Sequence, residues 1–156
     1  MITMTPLLHS TLLLLHLLGA VAWVGGMLFA HFALRPAVAE VLEPPQRLRL
    51  MLAVFRRFFA GVAVAVVVIL ATGFALLAPV GFAAAPVGWH LMLAGGLVMT
   101  AVFVLIVARF YPRLRRHVEA SAWPAAAPVL ARIRQLVATN LVLGLLTIAA
   151  AILGRG

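Results

Sequence analysis

Three long stretches without a charged side chain dominate the pattern of polar and apolar positions, at residues 1–34, 58–108 and 135–154. Because a helix that crosses a bilayer needs about 20 apolar residues, the outer stretches each predict one such helix and the middle stretch predicts two. The segment APVGFAAAPVGW divides the middle stretch, since its prolines and glycines favour a turn. The pattern therefore predicts four transmembrane helices, at approximately residues 7–34, 58–78, 87–108 and 135–153.

Four such helices imply an all-α fold, because backbone polar groups in lipid must bond within the protein. We expect an integral membrane four-transmembrane-helix bundle that forms a single domain over residues 1–156. The first stretch is longer than the apolar part of a signal peptide and lacks a basic leader, so it is interpreted as a retained helix. Residues 47–59 are predicted to form an interfacial amphipathic helix that leads into the second span, with Leu48, Met51, Leu52 and Phe55 toward lipid.

Composition and charge add the orientation of the bundle. The chain is 66% hydrophobic and only 10% charged, and its net charge is +9. Arginines are concentrated in two predicted loops, at positions 35, 47, 49, 56 and 57 and at positions 109, 113, 115, 116, 132 and 134. The positive-inside rule places both Arg-rich loops in the cytoplasm and both termini in the periplasm, in a bacterial inner (plasma) membrane. We expect these loops to contact anionic lipid head groups rather than nucleic acid.

The available ligand chemistry is narrow. No cysteine is present, which excludes disulfides, thiolate metal sites, iron–sulfur clusters and covalently attached haem. The acidic residues are Glu40, Glu43 and Glu119, all in predicted cytoplasmic loops, so a carboxylate proton relay within the membrane is excluded. Histidine is therefore the main ionisable residue available inside the bilayer.

His16 and His90 are the leading candidate site residues. Each precedes a flanking arginine by 19 residues, Arg35 and Arg109 respectively, which places both histidines at about the same depth in the membrane. Two neutral imidazoles from different helices are suited to axial ligation of a haem b iron. We predict a haem b site between the first and third helices, with Trp23 and Ala94 beside it. Such a site would serve electron transfer or a haem-dependent membrane oxidoreductase.

Copper is the alternative cofactor, because Cu(I) favours thioether and imidazole ligands. His9, His16, Trp23 and Met27 share one face of the first helix, and His31 lies at its margin. In the copper hypothesis, Met4 and His9 help to capture the ion near the N-terminus, and it then passes inward to His16, Met27 and His31.

Small and polar residues leave other interpretations open. The stripe Ala22, Gly26 and Ala30 is compatible with close helix packing or with room for a flat ligand. Thr139 and Asn140 are expected to form hydrogen bonds between helices. A third hypothesis is a membrane scaffold or accessory subunit without any ligand, and a second copy of the chain or a redox partner is also expected.

Four segments resemble the four-helix membrane domain of the CopD (copper resistance D) family. They are HLLGAVAWVGGMLFAHFALRPA (16–37), FRRFF (55–59), GWHLM (88–92) and RIRQLVATNLVLGLLTIAAAILG (132–154). The wider group includes HemJ-type protoporphyrinogen oxidases. The resemblance implies copper handling on the CopD side, and haem b bound through the first-helix histidine, here His16, on the HemJ side. The lysine that follows the third-helix histidine in HemJ-type proteins is replaced here by Met92.

Overall fold

The computed structural model describes residues 4–154, and it forms four long helices over that range. They are α1 (Pro6–Val41), α2 (Pro44–Leu77), α3 (Val87–Glu119) and α4 (Trp123–Leu153), each long and apolar enough to cross a membrane. This confirms the predicted all-α fold with four transmembrane helices.

The helix ends show where the sequence-based boundaries were wrong. The end of α2 and the start of α3 agree with the prediction to within a residue, but the arginine-bearing segments are helical rather than loops. Only Leu42 and Glu43 separate α1 from α2, and only residues 120–122 separate α3 from α4. Arginine is a good helix former, so a segment that carries arginines continues a helix beyond its apolar part.

Local sequence explains several of these ends. Thr5 caps α1, because its hydroxyl accepts a hydrogen bond from the backbone N–H of Leu8 at 3.3 Å. At the start of α2, the side chain of Gln46 accepts from the N–H of Glu43 at 3.2 Å. Between α3 and α4, Ser121 has a φ of 53°, a left-handed conformation that reverses the chain.

Two helices contain widened π-helical turns. In α1 these turns cover Val21–Gly25 and Ala30–Leu34, and in α3 one covers Ile106–Phe110. The second and third of these turns end shortly before Pro36 and Pro112. A proline inside a helix removes one N–H donor and clashes with the preceding turn, so the helix widens there.

The bundle consists of two helix pairs, because α1 packs along α2 and α3 packs along α4. Aromatic rings join the pairs in the core: Phe59 of α2 contacts Phe103 of α3 edge to face with a centroid distance of 6.0 Å, and Trp23 of α1 contacts the same ring at 6.1 Å. Large apolar side chains on the outside, including Leu14, Phe29 and Val67, are exposed as a lipid-facing surface requires.

The expectation that residues 47–59 present an apolar face to lipid is wrong. Leu48, Met51 and Phe55 are each no more than 6% exposed and belong to the hydrophobic core. The reason is that α3 and α4 also extend beyond their charge-free segments and pack against this part of α2, so that Leu114 and Leu130 join the same core.

Candidate functional site

The structure gives His16 a specific partner on the neighbouring helix. His16 is half-buried, and its Nδ1 atom lies 3.0 Å from Oγ1 of Thr72 in α2. The same hydroxyl lies 2.6 Å from the carbonyl oxygen of Val68, to which it donates its single proton. It therefore accepts a hydrogen bond from the Nδ1–H of His16. This arrangement leaves the Nε2 lone pair of His16 available to a ligand.

Space for that imidazole depends on a glycine. A Cβ atom at Gly73 would lie 3.2 Å from Cε1 of His16, so any larger residue would press on the ring. The ring is thus held by Thr72 on one side and fitted against the bare backbone of Gly73 on the other. Two adjacent residues of α2 therefore set the orientation of His16.

His90 is held by its own hairpin. Its Nδ1 lies 3.2 Å from the carbonyl oxygen of Pro86, its Nε2 lies 3.0 Å from that of Phe82, and its ring packs edge to face on the Phe82 ring. Both ring nitrogens therefore face backbone acceptors in the connection between α2 and α3. Coordination of an iron would require one of these contacts to break.

The residues assigned to the haem b site lie in different surroundings. His16 contacts α2, His90 contacts the hairpin before α3, and none of the hydrogen bonds among residues 4–154 joins them. Ala94 is exposed on the outside of the bundle, whereas Trp23 is 4% exposed and packs on Phe103 in the core. The haem b site stays a prediction.

Among the residues assigned to copper, burial increases from His9 through His16 to Met27 and decreases again at His31. Met4 is half-buried and His9 is exposed near the N-terminal end, His16 is half-buried, and Met27 is 1% exposed in the core. His31 is half-buried and contacts the ring of Phe32 at a centroid distance of 4.8 Å. The part of the chain that the structure describes contains no group of three or more His, Asp or Glu side chains that could hold a metal ion.

Two adjacent polar residues of α4, the buried Asn140 and the exposed Thr139, differ in their hydrogen bonds. Asn140 of α4 is 2% exposed and its Nδ2 donates to the carbonyl oxygen of Met99 in α3 at 3.0 Å, which confirms the predicted interhelical hydrogen bond. Its Oδ1 is buried without a hydrogen-bond partner. Thr139, in contrast, bonds only to the carbonyl of Gln135 within its own helix.

The thioether of Met99 was not among the predicted site residues. Met99 is 3% exposed, and its Cε lies 3.1 Å from the position that a Cβ of Gly144 would occupy, next to Val24 of α1. Met27 and Met99 belong to the same buried cluster. Met99 follows His90 by nine residues and so lies on the opposite side of α3, which is the side that faces the bundle interior.

The small-residue stripe of α1 serves close packing at one position. A Cβ at Gly26 would come within 2.5 Å of Cε2 of Phe58, so the absence of a side chain lets the Phe58 ring pack directly on α1.

A family model for CopD, described as copper resistance protein D, matches residues 52–153. The matched region includes most of α2, all of α3 and all of α4, and it contains Thr72, His90 and Met99. Comparisons with curated proteins and with solved structures gave no significant match. Since the family model covers well over half of a chain that folds into four membrane-length apolar helices, the protein belongs to the CopD family and is a multi-pass membrane protein related to copper resistance.

Proposed function

We propose that this protein binds Cu(I) within its helix bundle, and that it takes up the ion at the end of the bundle where both termini lie and holds it at buried sulfur and nitrogen donors. The observation that carries this proposal is the gradient of burial along one face of α1. His9 is exposed, His16 is half-buried and Met27 is 1% exposed. The donors thus form a series from the surface to the core.

The hydrogen bond at Nδ1 of His16 is one that a metal-binding histidine commonly makes. A histidine that coordinates a metal usually donates its other ring N–H to a protein acceptor, which fixes the tautomer and the ring orientation. Thr72 provides that acceptor at 3.0 Å from Nδ1. Nε2 is then the atom that would approach the ion.

The charge of the ion also has to match the bundle. The acidic residues are Glu40, Glu43 and Glu119, at the arginine-rich ends of the helices, so no carboxylate lies in the apolar part of the spans. A divalent ion would be costly to bury among neutral donors, whereas a monovalent soft ion is stabilised by thioethers and imidazoles. Met27 and Met99, in one buried cluster, supply thioether sulfur.

The direction of copper movement follows from the membrane orientation. The positive-inside rule puts the arginine-rich ends of the helices in the cytoplasm of a bacterial cell and the two termini outside. His9 then lies on the outer side and Met27 deeper in the membrane. The proposed role is capture of Cu(I) from the periplasmic side of the inner membrane and its retention or transfer within the bundle.

The test is a competition titration of Cu(I) between the purified protein in nanodiscs and a chromophoric Cu(I) chelator. We expect one tightly bound ion, and we expect His16→Ala and Met27→Leu each to lower the affinity by about tenfold or more, since even the loss of a residue that only orients a metal ligand costs about tenfold. His117→Ala and Met92→Leu are matched controls, since both residues are half-buried and lie outside the α1 series. X-ray absorption at the copper edge should show sulfur scattering that weakens in Met27→Leu.

Three results would overturn the proposal. The first is a parent protein that leaves all Cu(I) with the chelator, and the second is a loss of affinity in the controls as large as in the site variants. The third is a Soret band in the protein as isolated that disappears in both His16→Ala and His90→Ala, because that result would establish the haem b site instead.

A further inference from the structure

A groove at the arginine-rich end of the bundle collects positive charge from three helices. It has a volume of about 300 Å³ and is lined by four basic side chains together with apolar ones. The basic residues are His31 and Arg35 of α1, Arg47 of α2 and Arg134 of α4. We call this feature the arginine groove.

The positive charge in the arginine groove has no acidic partner. No glutamate lines it, and in the described part of the chain the ion pair that forms is Arg115 with Glu119, on the surface of α3. Arg35 and Arg134 both line this groove, so two like charges are brought together there. Like charges brought together in a partly buried place are destabilising unless an anion joins them.

The guanidinium groups in the arginine groove have N–H donors that are available to a bound ligand. Nε of Arg134 is buried and has no hydrogen-bond partner, which is costly for a charged group. Nε of Arg47 donates to the carbonyl oxygen of Leu42, and this bond fixes the position of its guanidinium while its remaining N–H groups stay available. Planar guanidinium groups match the oxygens of a phosphate in pairs of hydrogen bonds.

The lining also indicates where the anion comes from. Beside the basic residues, the arginine groove is lined by apolar side chains such as Val38, Phe55 and Leu130. A free phosphate would make no use of these, whereas a phospholipid would place its phosphate against the arginines and the start of an acyl chain against the apolar wall. The protein is itself surrounded by lipid.

We propose that the arginine groove is a specific site for the phosphate group of an anionic phospholipid. The site is independent of the series His9, His16 and Met27, and it assigns the His31 imidazole, which lines the groove, to the lipid phosphate rather than to Cu(I). Bound lipid would connect α1, α2 and α4 at this end of the bundle.

The experiment compares two variants on the same helix in nanodiscs of defined lipid. Arg134→Gln removes a groove residue, and Arg132→Gln is the matched control, because Arg132 is exposed and bonds only to the side chain of Gln135. Native mass spectrometry then measures the affinity of each for phosphatidylglycerol. We expect Arg134→Gln to lose about tenfold in affinity, since charge-assisted hydrogen bonds to phosphate are lost, and Arg132→Gln to lose less than about twofold.

Thermal unfolding distinguishes a loss of lipid binding from a general loss of stability in a variant. In phosphatidylcholine alone, Arg134→Gln should unfold at the parent's temperature or higher, because it removes an unpartnered and repelled charge. Added phosphatidylglycerol should then raise the unfolding temperature of the parent and of Arg132→Gln but not that of Arg134→Gln. This reversal between lipids is not expected of a residue with a merely structural role.

Three results would overturn the proposal. Equal losses in Arg134→Gln and Arg132→Gln would show only general attraction of the arginines to a charged surface. Equal affinity for phosphatidylcholine would remove the role of the anionic lipid. Stabilisation by inorganic phosphate in phosphatidylcholine nanodiscs, abolished in Arg134→Gln and as strong as that by phosphatidylglycerol, would assign the groove to a soluble anion.

Discussion

The imidazole of His16 and the hydroxyl of Thr72 are in hydrogen-bond contact at 3.0 Å, although 56 positions separate them in the chain. This contact links the N-terminal half of α1 to α2 and sets the tautomer of the histidine. It therefore connects the packing of the first two helices with the chemistry of the candidate copper site.

Thr72→Val should weaken both the packing of α1 on α2 and the binding of Cu(I), because valine keeps the shape of threonine but cannot accept a hydrogen bond. We expect the free energy of unfolding to fall by about 1 kcal/mol, the usual value of one hydrogen bond. The affinity for Cu(I) should fall as well, since the His16 ring loses its orientation. Reversible unfolding in mixed micelles and the chelator titration measure the two effects.

Thr100→Val is the control for that substitution. Thr100 is half-buried in α3, and its hydroxyl bonds to the carbonyl of Gly96 in its own helix, as Thr72 does to Val68, but it has no histidine partner. Equal Cu(I) affinity in Thr72→Val and the parent would contradict a role of Thr72 in holding the site.

Close contact between the start of α3 and the end of α4 should make Gly88 intolerant of any side chain. Its N–H donates to the carbonyl oxygen of Gly154 at 3.1 Å, and a Cβ at Gly88 would lie 2.7 Å from the carbonyl oxygens of both Ala150 and Gly154. These are backbone atoms that cannot rotate away. We expect Gly88→Ala to lower the free energy of unfolding by about 2 kcal/mol or more.

Gly96→Ala provides the opposite expectation in the same helix. Nothing lies within 4 Å of a Cβ at Gly96. Because alanine favours a helix over glycine by up to about 1 kcal/mol, this variant should be as stable as the parent or slightly more stable. A similar loss in both variants would contradict the assignment of the cost at Gly88 to its close contact with the end of α4, because Gly96 has no such contact.

The number and type of the helices could be predicted from the sequence, because the length of each charge-free stretch follows from the thickness of the bilayer. The ends at the arginine-rich side could not. Whether Leu48 and Phe55 face lipid or a core depends on whether other helices extend far enough to cover them. The hydrophobic pattern of one segment carries no information about that.

For the candidate site, the sequence identifies individual residues but not their partners. An isolated intramembrane histidine identifies His16, and a lone amide identifies Asn140 as a group that needs a partner. Neither Thr72 nor the carbonyl of Met99 could be named as that partner, since the pairing of helices is a tertiary property. The arginine groove could not be predicted, because the sequence indicates that Arg35, Arg47 and Arg134 lie near lipid head groups but not that the three side chains line one groove.

Asn140 should respond differently to an apolar and to an acidic replacement. Asn140→Leu loses the hydrogen bond to Met99 but also removes the buried Oδ1 that has no partner, so the free energy of unfolding should change by less than about 1 kcal/mol. Asn140→Asp places a carboxyl group at the same buried position without the amide donor, and should cost about 3 kcal/mol. Unfolding of both variants at neutral pH measures the difference. A larger loss for leucine than for aspartate would mean that Oδ1 has a partner.

Phe59 is the centre of the aromatic contacts that hold the helix pairs together. Its ring stacks on Phe55 at 5.1 Å and meets Phe103 and Tyr111 edge to face at 6.0 and 5.6 Å. Because the side chain is 6% exposed, Phe59→Ala would leave a cavity between α2 and α3 and should cost about 3–5 kcal/mol. Unfolding in mixed micelles provides this value.

The lipid-facing Phe74, 51% exposed on the same helix, is the matched control. Phe74→Ala should cost less than about 1 kcal/mol, because lipid chains fill the space that the ring leaves and helices gain little from apolar contact with lipid.

Hydrogen exchange adds a test of where in the bundle the Phe59→Ala substitution acts. Since Phe103 contacts both Phe59 and Trp23, Phe59→Ala should increase backbone exchange around Trp23 in α1, whereas Phe74→Ala should not. Equal costs in the two variants would show that the aromatic contacts contribute no more to stability than a lipid-exposed ring, and that the two helix pairs are held together elsewhere.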